Sequence, residues 1–208
     1  MTAQVWVSRA MQASMLIRHV HTDIFQNDEA RALEGERRNE RGEFVPADMC
    51  PKRVWLEADE DRPIPDMFFA EGQPIVSTRV AEILSRFDLG NGALYPVAEG
   101  VFQSDNATPI AGAYFSWIFG STKSAFLEAH SPTAEPLMPG GGRNRCVFPF
   151  AMSDGAFAVS RDALSGPDVW IDPLLLKSMF VSGALGDALE AAGLRKALCL
   201  FKCQVIQG

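Results

Sequence analysis

Two segments of this sequence carry the same helix signal at the same offsets, and their apolar faces require a sheet to cover. Ile75-Val76 leads into Ser77, after which Val80, Ile83, Leu84 and Phe87 fall at i, i+3, i+4 and i+7. Phe180-Val181 leads into Ser182, after which Leu185, Ala188, Leu189 and Ala192 hold the same offsets. A serine at the N-cap accepts from amides of the first turn, and the spacing gathers the apolar side chains on one face. Helices are therefore expected at about 77–87 and 182–192. Gly90-Asn91-Gly92 and Gly193 stop them, because glycine and asparagine accept the left-handed backbone that ends helices. Strands are expected next, over Ala93–Gln103, with Pro96 pushing it toward a sheet edge, and over Ala197–Ile206. The repeated unit is either the ordinary look of a capped helix between strands or an internal duplication. Both readings give an α+β fold, with a mixed or mainly antiparallel sheet covered by these two helices around a single core.

The rest of the chain is less regular. Val5-Trp6-Val7 reads as a short strand, while Met11–Val20 fits helix and strand equally. Thr22-Asp23 is a helix start, and the run to about Glu40 is helical in composition but has only Ile24, Phe25 and Leu33 to bury. It is expected as a surface helix or an arm. Prolines at 46, 51, 63 and 65 argue for an extended connection from Arg41 to Pro65. Residues 1–62 are therefore expected as a charged N-terminal subregion packed on or preceding a core of 63–208, within one domain overall. Ala111–Phe119 alternates aromatic and smaller residues and pairs with the strand before it. Glu128–Arg145, with three prolines and Gly140-Gly141-Gly142, is a long loop, and short strands follow at Cys146–Phe150 and Ala156–Val159.

Composition limits the function classes. With 208 residues, 47% of them hydrophobic, the chain fills one ordinary domain. A formal net charge of −7 repels phosphate backbones, which argues against direct nucleic-acid binding. No apolar run is long enough to span a membrane, and Ala10–Ile17 is a poor signal-peptide core, so a cytoplasmic location is expected. Four scattered cysteines do not make a disulfide framework, and reduced thiols are expected.

Few residues invite chemistry. On a strand His19 and His21 would share one side and, with His130, offer zinc three imidazoles, but this segment fits helix as well and no acidic or cysteine partner recurs at ligand spacing. Cys199 and Cys203 would chelate on a helix; on a strand they are core residues. Cys50, before Pro51, has no base set beside it, and no nucleophile elbow is present. The Gly140–Arg145 loop could cradle an anion, yet it lacks the ending of a phosphate loop. Glu57, Asp59, Glu60 and Asp61 form an acidic spot beside Trp55, suited to a solvated face, a basic partner or weak cation binding. No metal, cofactor or catalytic residue is expected.

Several motifs stand together in a familiar order. They are Pro63-Ile64-Pro65-Asp66 before Val76-Ser77, the run Phe87-Asp88-Leu89-Gly90-Asn91-Gly92-Ala93-Leu94-Tyr95-Pro96-Val97, Phe119-Gly120 with Lys123-Ser124-Ala125-Phe126, and Gly166-Pro167-Asp168-Val169-Trp170-Ile171-Asp172-Pro173 before Ser182. Over roughly 63–206 the chain resembles the eleventh immunity-protein family of bacterial polymorphic toxin systems. That resemblance implies a bacterial cytosolic protein, not an enzyme, that binds and neutralises a cognate toxin. It supplies no catalytic residues, and its recurrent Pro-Asp and Gly-Asn-Gly positions are those that turns require. The acidic residues Glu57, Asp59, Glu60 and Asp61 and the 128–145 loop are the expected contacts. The alternative is a small-molecule-binding protein or enzyme using His19 and His21 or the Gly140–Arg145 loop.

Overall fold

A computed structural model describes residues 4–59, 63–137 and 146–206. The first half contains β1 (Val5–Ser8), β2 (Ile17–Arg18), β3 (Val20–Thr22), α1 (Asp23–Asn27), α2 (Glu29–Glu40), β4 (Arg53–Leu56), β5 (Met67–Ala70), β6 (Gln73–Ser77) and α3 (Thr78–Leu84). Then come β7 (Ala93–Pro96), β8 (Gly100–Phe102), β9 (Tyr114–Ile118), β10 (Glu135–Pro136), β11 (Cys146–Val147) and β12 (Ala158–Val159). The chain ends with β13 (Val169–Trp170), β14 (Met179–Ser182), α4 (Gly183–Ala191) and β15 (Leu200–Val205). The fold is α+β. One five-stranded sheet runs β12-β15-β1-β14-β13, a second β2-β5-β6-β9-β7, and a third, of three strands, β3-β4-β8. Each carries one parallel pair, β12 with β15, β2 with β5 and β4 with β8, and is otherwise antiparallel.

The two Ser-led units share the strand register that leads into the helix. In the second sheet Val76 lies between Met67 and Phe115, and in the first Val181 lies between Val169 and Trp6. Ser77 donates its amide to Asp66 O, and Ser182 donates its amide to Asp168 O, both at 2.9 Å. Register then makes β1 the counterpart of β9, and β15 the counterpart of β7. A strand from the N-terminus thus occupies the place that a strand after the helix fills in the other unit. The units are also cross-tied. Asp66 accepts from Arg79, whose guanidinium reaches Ala192 O at the end of α4, and Asp168 exchanges backbone and carboxylate bonds with Asp88 just beyond α3.

The main core fills the space between the two large sheets. α3 and α4 lie there with Val80, Leu84, Leu185 and Leu189 fully buried, packed with Trp6, Trp117, Val76 and Val181. Because neighbouring strand residues point to opposite faces, the other faces have cores of their own. Val7, Trp170 and Phe180 meet Phe126, Phe148 and Phe157 outside the first sheet, and Phe68, Ile75 and Tyr114 meet Val54, Leu56 and Val101 of the third sheet outside the second.

Several local expectations are corrected. The helices are shorter than the apolar spacing implies, because Phe87 and Ala192 fall in the turns beyond them. Ser182 caps by accepting from Leu185 N, whereas Ser77 turns its hydroxyl to Asp66 Oδ1 at 2.6 Å instead. Ala93–Gln103 is not one strand: the chain breaks after Pro96 and feeds β7 to the second sheet and β8 to the third. The 41–65 connection holds β4, and residues 67–77 form a hairpin. That hairpin turns at Glu71 and Gly72 with φ of 47° and 86°, a left-handed pair that matches strand twist. Cys199 precedes β15 in a left-handed turn and is half-buried, while Cys203 is buried. Within residues 1–62, β1 lies at the centre of the first sheet, and α2 docks through Ala32, Gly35 and Asn39 rather than a broad apolar stripe.

Candidate functional site

A cleft of about 430 Å³ opens where the second and third sheets part. The chain crosses from β2 to β3 at His19, which makes one wall; α2 makes another, the Glu71-Gly72 turn a third, and Lys177 closes one end. The walls are fixed from behind. Asn39, almost wholly buried, donates from Nδ2 to Trp117 O at 2.9 Å and accepts from Phe119 N at 2.8 Å, which clamps α2 to the end of β9. The Glu71 carboxylate accepts from Thr22 N at 3.0 Å and Thr22 Oγ1 at 2.5 Å, so the turn is tied to β3. Those bonds hold a non-glycine residue at positive φ, where a side chain costs roughly 1–2 kcal/mol.

The cleft is acidic. Glu36, Glu40, Glu57 and Glu71 line it, against Arg18 and Lys177, and Lys177 Nζ sits 3.3 Å from Glu40. Burial, with Glu40 one helical turn away as the next cause, holds the Glu36 carboxyl above its ordinary range. A like-charged i,i+4 pair opposes its own helix by a few tenths of a kcal/mol. The pair persists because the helix is held by Asn39 and the sheet.

Sequence-level candidates separate here. Glu57 lines the cleft, with its carboxylate 3.9 Å from His19 Nδ1. Asp59 instead accepts from Ser104 N at 2.9 Å and braces the loop after β4, while Glu60 and Asp61 lie outside the described residues. His21 faces the Trp55 ring at 5.7 Å and approaches Glu71 at 3.9 Å. Both histidine–carboxylate distances exceed a hydrogen bond, so neither imidazole is oriented as a base. His130 sits apart, in the turn Glu128–His130. Among the described residues, no group of three or more His, Cys, Asp or Glu is placed to hold a metal. Cys50 is buried, and desolvation pushes its thiol up to about 12, too high for a ready thiolate. The Gly140–Arg145 loop falls outside the described residues.

Sequence reasoning missed Glu36, Asn39, Glu40, Glu71 and Lys177. The one local signal is Glu36 and Glu40 at i,i+4, which places two carboxylates on one face of α2. No helix among the described residues is long and apolar enough to cross a membrane. No protein-family model matches the sequence, and no curated protein matches it.

Proposed function

We propose that this chain is a non-enzymatic, cytoplasmic immunity-type protein that binds a cognate protein toxin and blocks it, with the acid-lined cleft as its main contact. The supporting observation is the convergence of Glu36, Glu40 and Glu57 on one concavity whose walls are pinned by Asn39 and Glu71. Carboxylates crowded in this way gain from a basic group supplied by a partner. A rigid acidic cleft also steers a cationic surface toward itself and speeds association. Such a cleft suits a toxin whose own active site is basic.

The test is co-expression with the product of the gene adjacent to its own. Rescue of growth by the natural chain, lost in Glu40→Lys/Glu57→Lys with an unchanged urea midpoint, supports the reading. Rescue that survives the double reversal removes the cleft from it, and absence of rescue by the natural chain removes the toxin.

A further inference from the structure

A second concavity, a groove of about 570 Å³, lies between residues 12–15 and the turn at 195–199 with the start of β15. Its frame is knit by long-range bonds. Ser8 Oγ donates to Leu198 O at 2.6 Å, Arg9 N to Cys199 O at 3.2 Å, and Gln12 Nε2 to Leu176 O at 3.1 Å. Arg9, Arg195 and Lys196 line the groove, and no carboxylate does. Arg195 is occupied by Glu190 and Asp154 and serves the frame. Arg9 and Lys196 have no carboxylate within ion-pair distance among the described residues, in a chain whose formal net charge is −7. Apolar side chains share the lining with these two cations: Met15 on the groove wall is 76% exposed, and Leu200 and Phe201 line the groove beside it. The Arg9 guanidinium is held by donating to Phe150 O at 3.0 Å.

We propose that this groove docks an acidic segment of another polypeptide, its carboxylates between Arg9 and Lys196 and an adjacent apolar side chain against Met15 and Phe201. The charge fixes the sign of the occupant. The apolar lining argues for a segment longer than an ion, because an inorganic anion reaches the cations but leaves the apolar wall of Met15, Leu200 and Phe201 in water. The groove is open rather than a tunnel, which favours a chain lying across it over a single acyl tail. This site does not depend on the toxin-binding reading, since it has the opposite charge and shares no lining residue with the acidic cleft.

Cys199 lies in the groove and is half-buried, while Cys50, Cys146 and Cys203 are buried, so its alkylation reports occupancy. The probe is a short fluorescent peptide of glutamate and leucine spaced by serine, with a lysine–leucine peptide of equal length as comparison. The expected result is saturable anisotropy for the acidic peptide alone, slower alkylation of Cys199 by iodoacetamide in its presence, and affinity reduced about tenfold or more in Arg9→Glu/Lys196→Glu. Should the double variant fail to fold, Lys196→Glu alone carries the same expectation in weaker form. The proposal is overturned by absence of saturable binding, by equal affinity in the folded variants, or by binding that leaves Cys199 alkylation unchanged. It is also overturned if phosphate or dodecanoate protects Cys199 as well as the peptide does, which would make the groove a small-anion site.

Discussion

Replacing Gly186 by Ala puts a methyl carbon 2.0 Å from Trp6 Cδ1 and 2.3 Å from its Nε1, where ordinary contact begins near 3.4 Å. Trp6 cannot give way easily. It is fully buried on the central strand β1, with the Lys202 ammonium 4.7 Å from its ring centroid. Overpacking of this kind costs about 1–3 kcal/mol, and the helix propensity gained on replacing glycine by alanine returns up to ~1. Gly186→Ala should therefore destabilise by about 1–2 kcal/mol. The paired units supply the control. Gly186 stands four residues after Ser182, as Ala81 stands four after Ser77, and register places Trp6 where the other unit has Phe115. The smaller ring thus goes with the larger helix residue. In a Trp6→Phe background Gly186→Ala should be neutral or stabilising, giving a coupling of roughly 2 kcal/mol between the sites. Urea unfolding of the four proteins in this cycle measures it. Equal cost of Gly186→Ala in both backgrounds, within about 0.5 kcal/mol, would refute the equivalence of the two units.

Glu71→Ala removes the acceptor of both the amide and the hydroxyl proton of the buried Thr22, whose oxygen still caps α1 by accepting from Phe25 N, so urea unfolding should show a loss of about 2–3 kcal/mol; a loss below about 0.5 would show the turn is not anchored there. Glu36 is held above its ordinary 4.5, so the folded state binds its proton more tightly and the ionised form weighs against folding at neutral pH. Glu36→Gln should raise the urea midpoint at pH 7, with the advantage fading as pH falls through the raised value, and a pH-independent difference would contradict this. Lys123, half-buried with its Nζ 3.7 Å from the Trp170 ring centroid, is lowered by desolvation from 10.5 to about 8. The unfolded chain then binds more protons between those values, so stability should rise with pH across that window and the rise should flatten in Lys123→Met; parallel unfolding curves for the two proteins would exclude it.

The helices α3 and α4 were legible because cap, apolar spacing and terminating glycine agree with one another and with the burial they receive. The hairpin at 67–77 was not, since its left-handed turn uses Glu71 in place of the usual Asn or Gly, and what stabilises that choice is Thr22, far away in sequence. β4 was hidden among prolines, and the division of 93–103 between two sheets depends on partners that no local pattern names. The cleft was least legible for the same reason. Its walls come from residues near 18, 36–40, 57, 71 and 177, and only the fold brings them together. Of the expected acidic spot, Glu57 reaches the cleft while Asp59 is used within the chain.

Hydrogen–deuterium exchange on this chain mixed with the toxin proposed as its partner shows whether the acidic cleft makes the contact. Contact through the acidic cleft predicts slowed exchange in 17–22, in the second half of α2 and around the Glu71-Gly72 turn, with α3 and α4 unchanged. Protection confined to other surfaces, with those three walls exchanging as in the free protein, would contradict it.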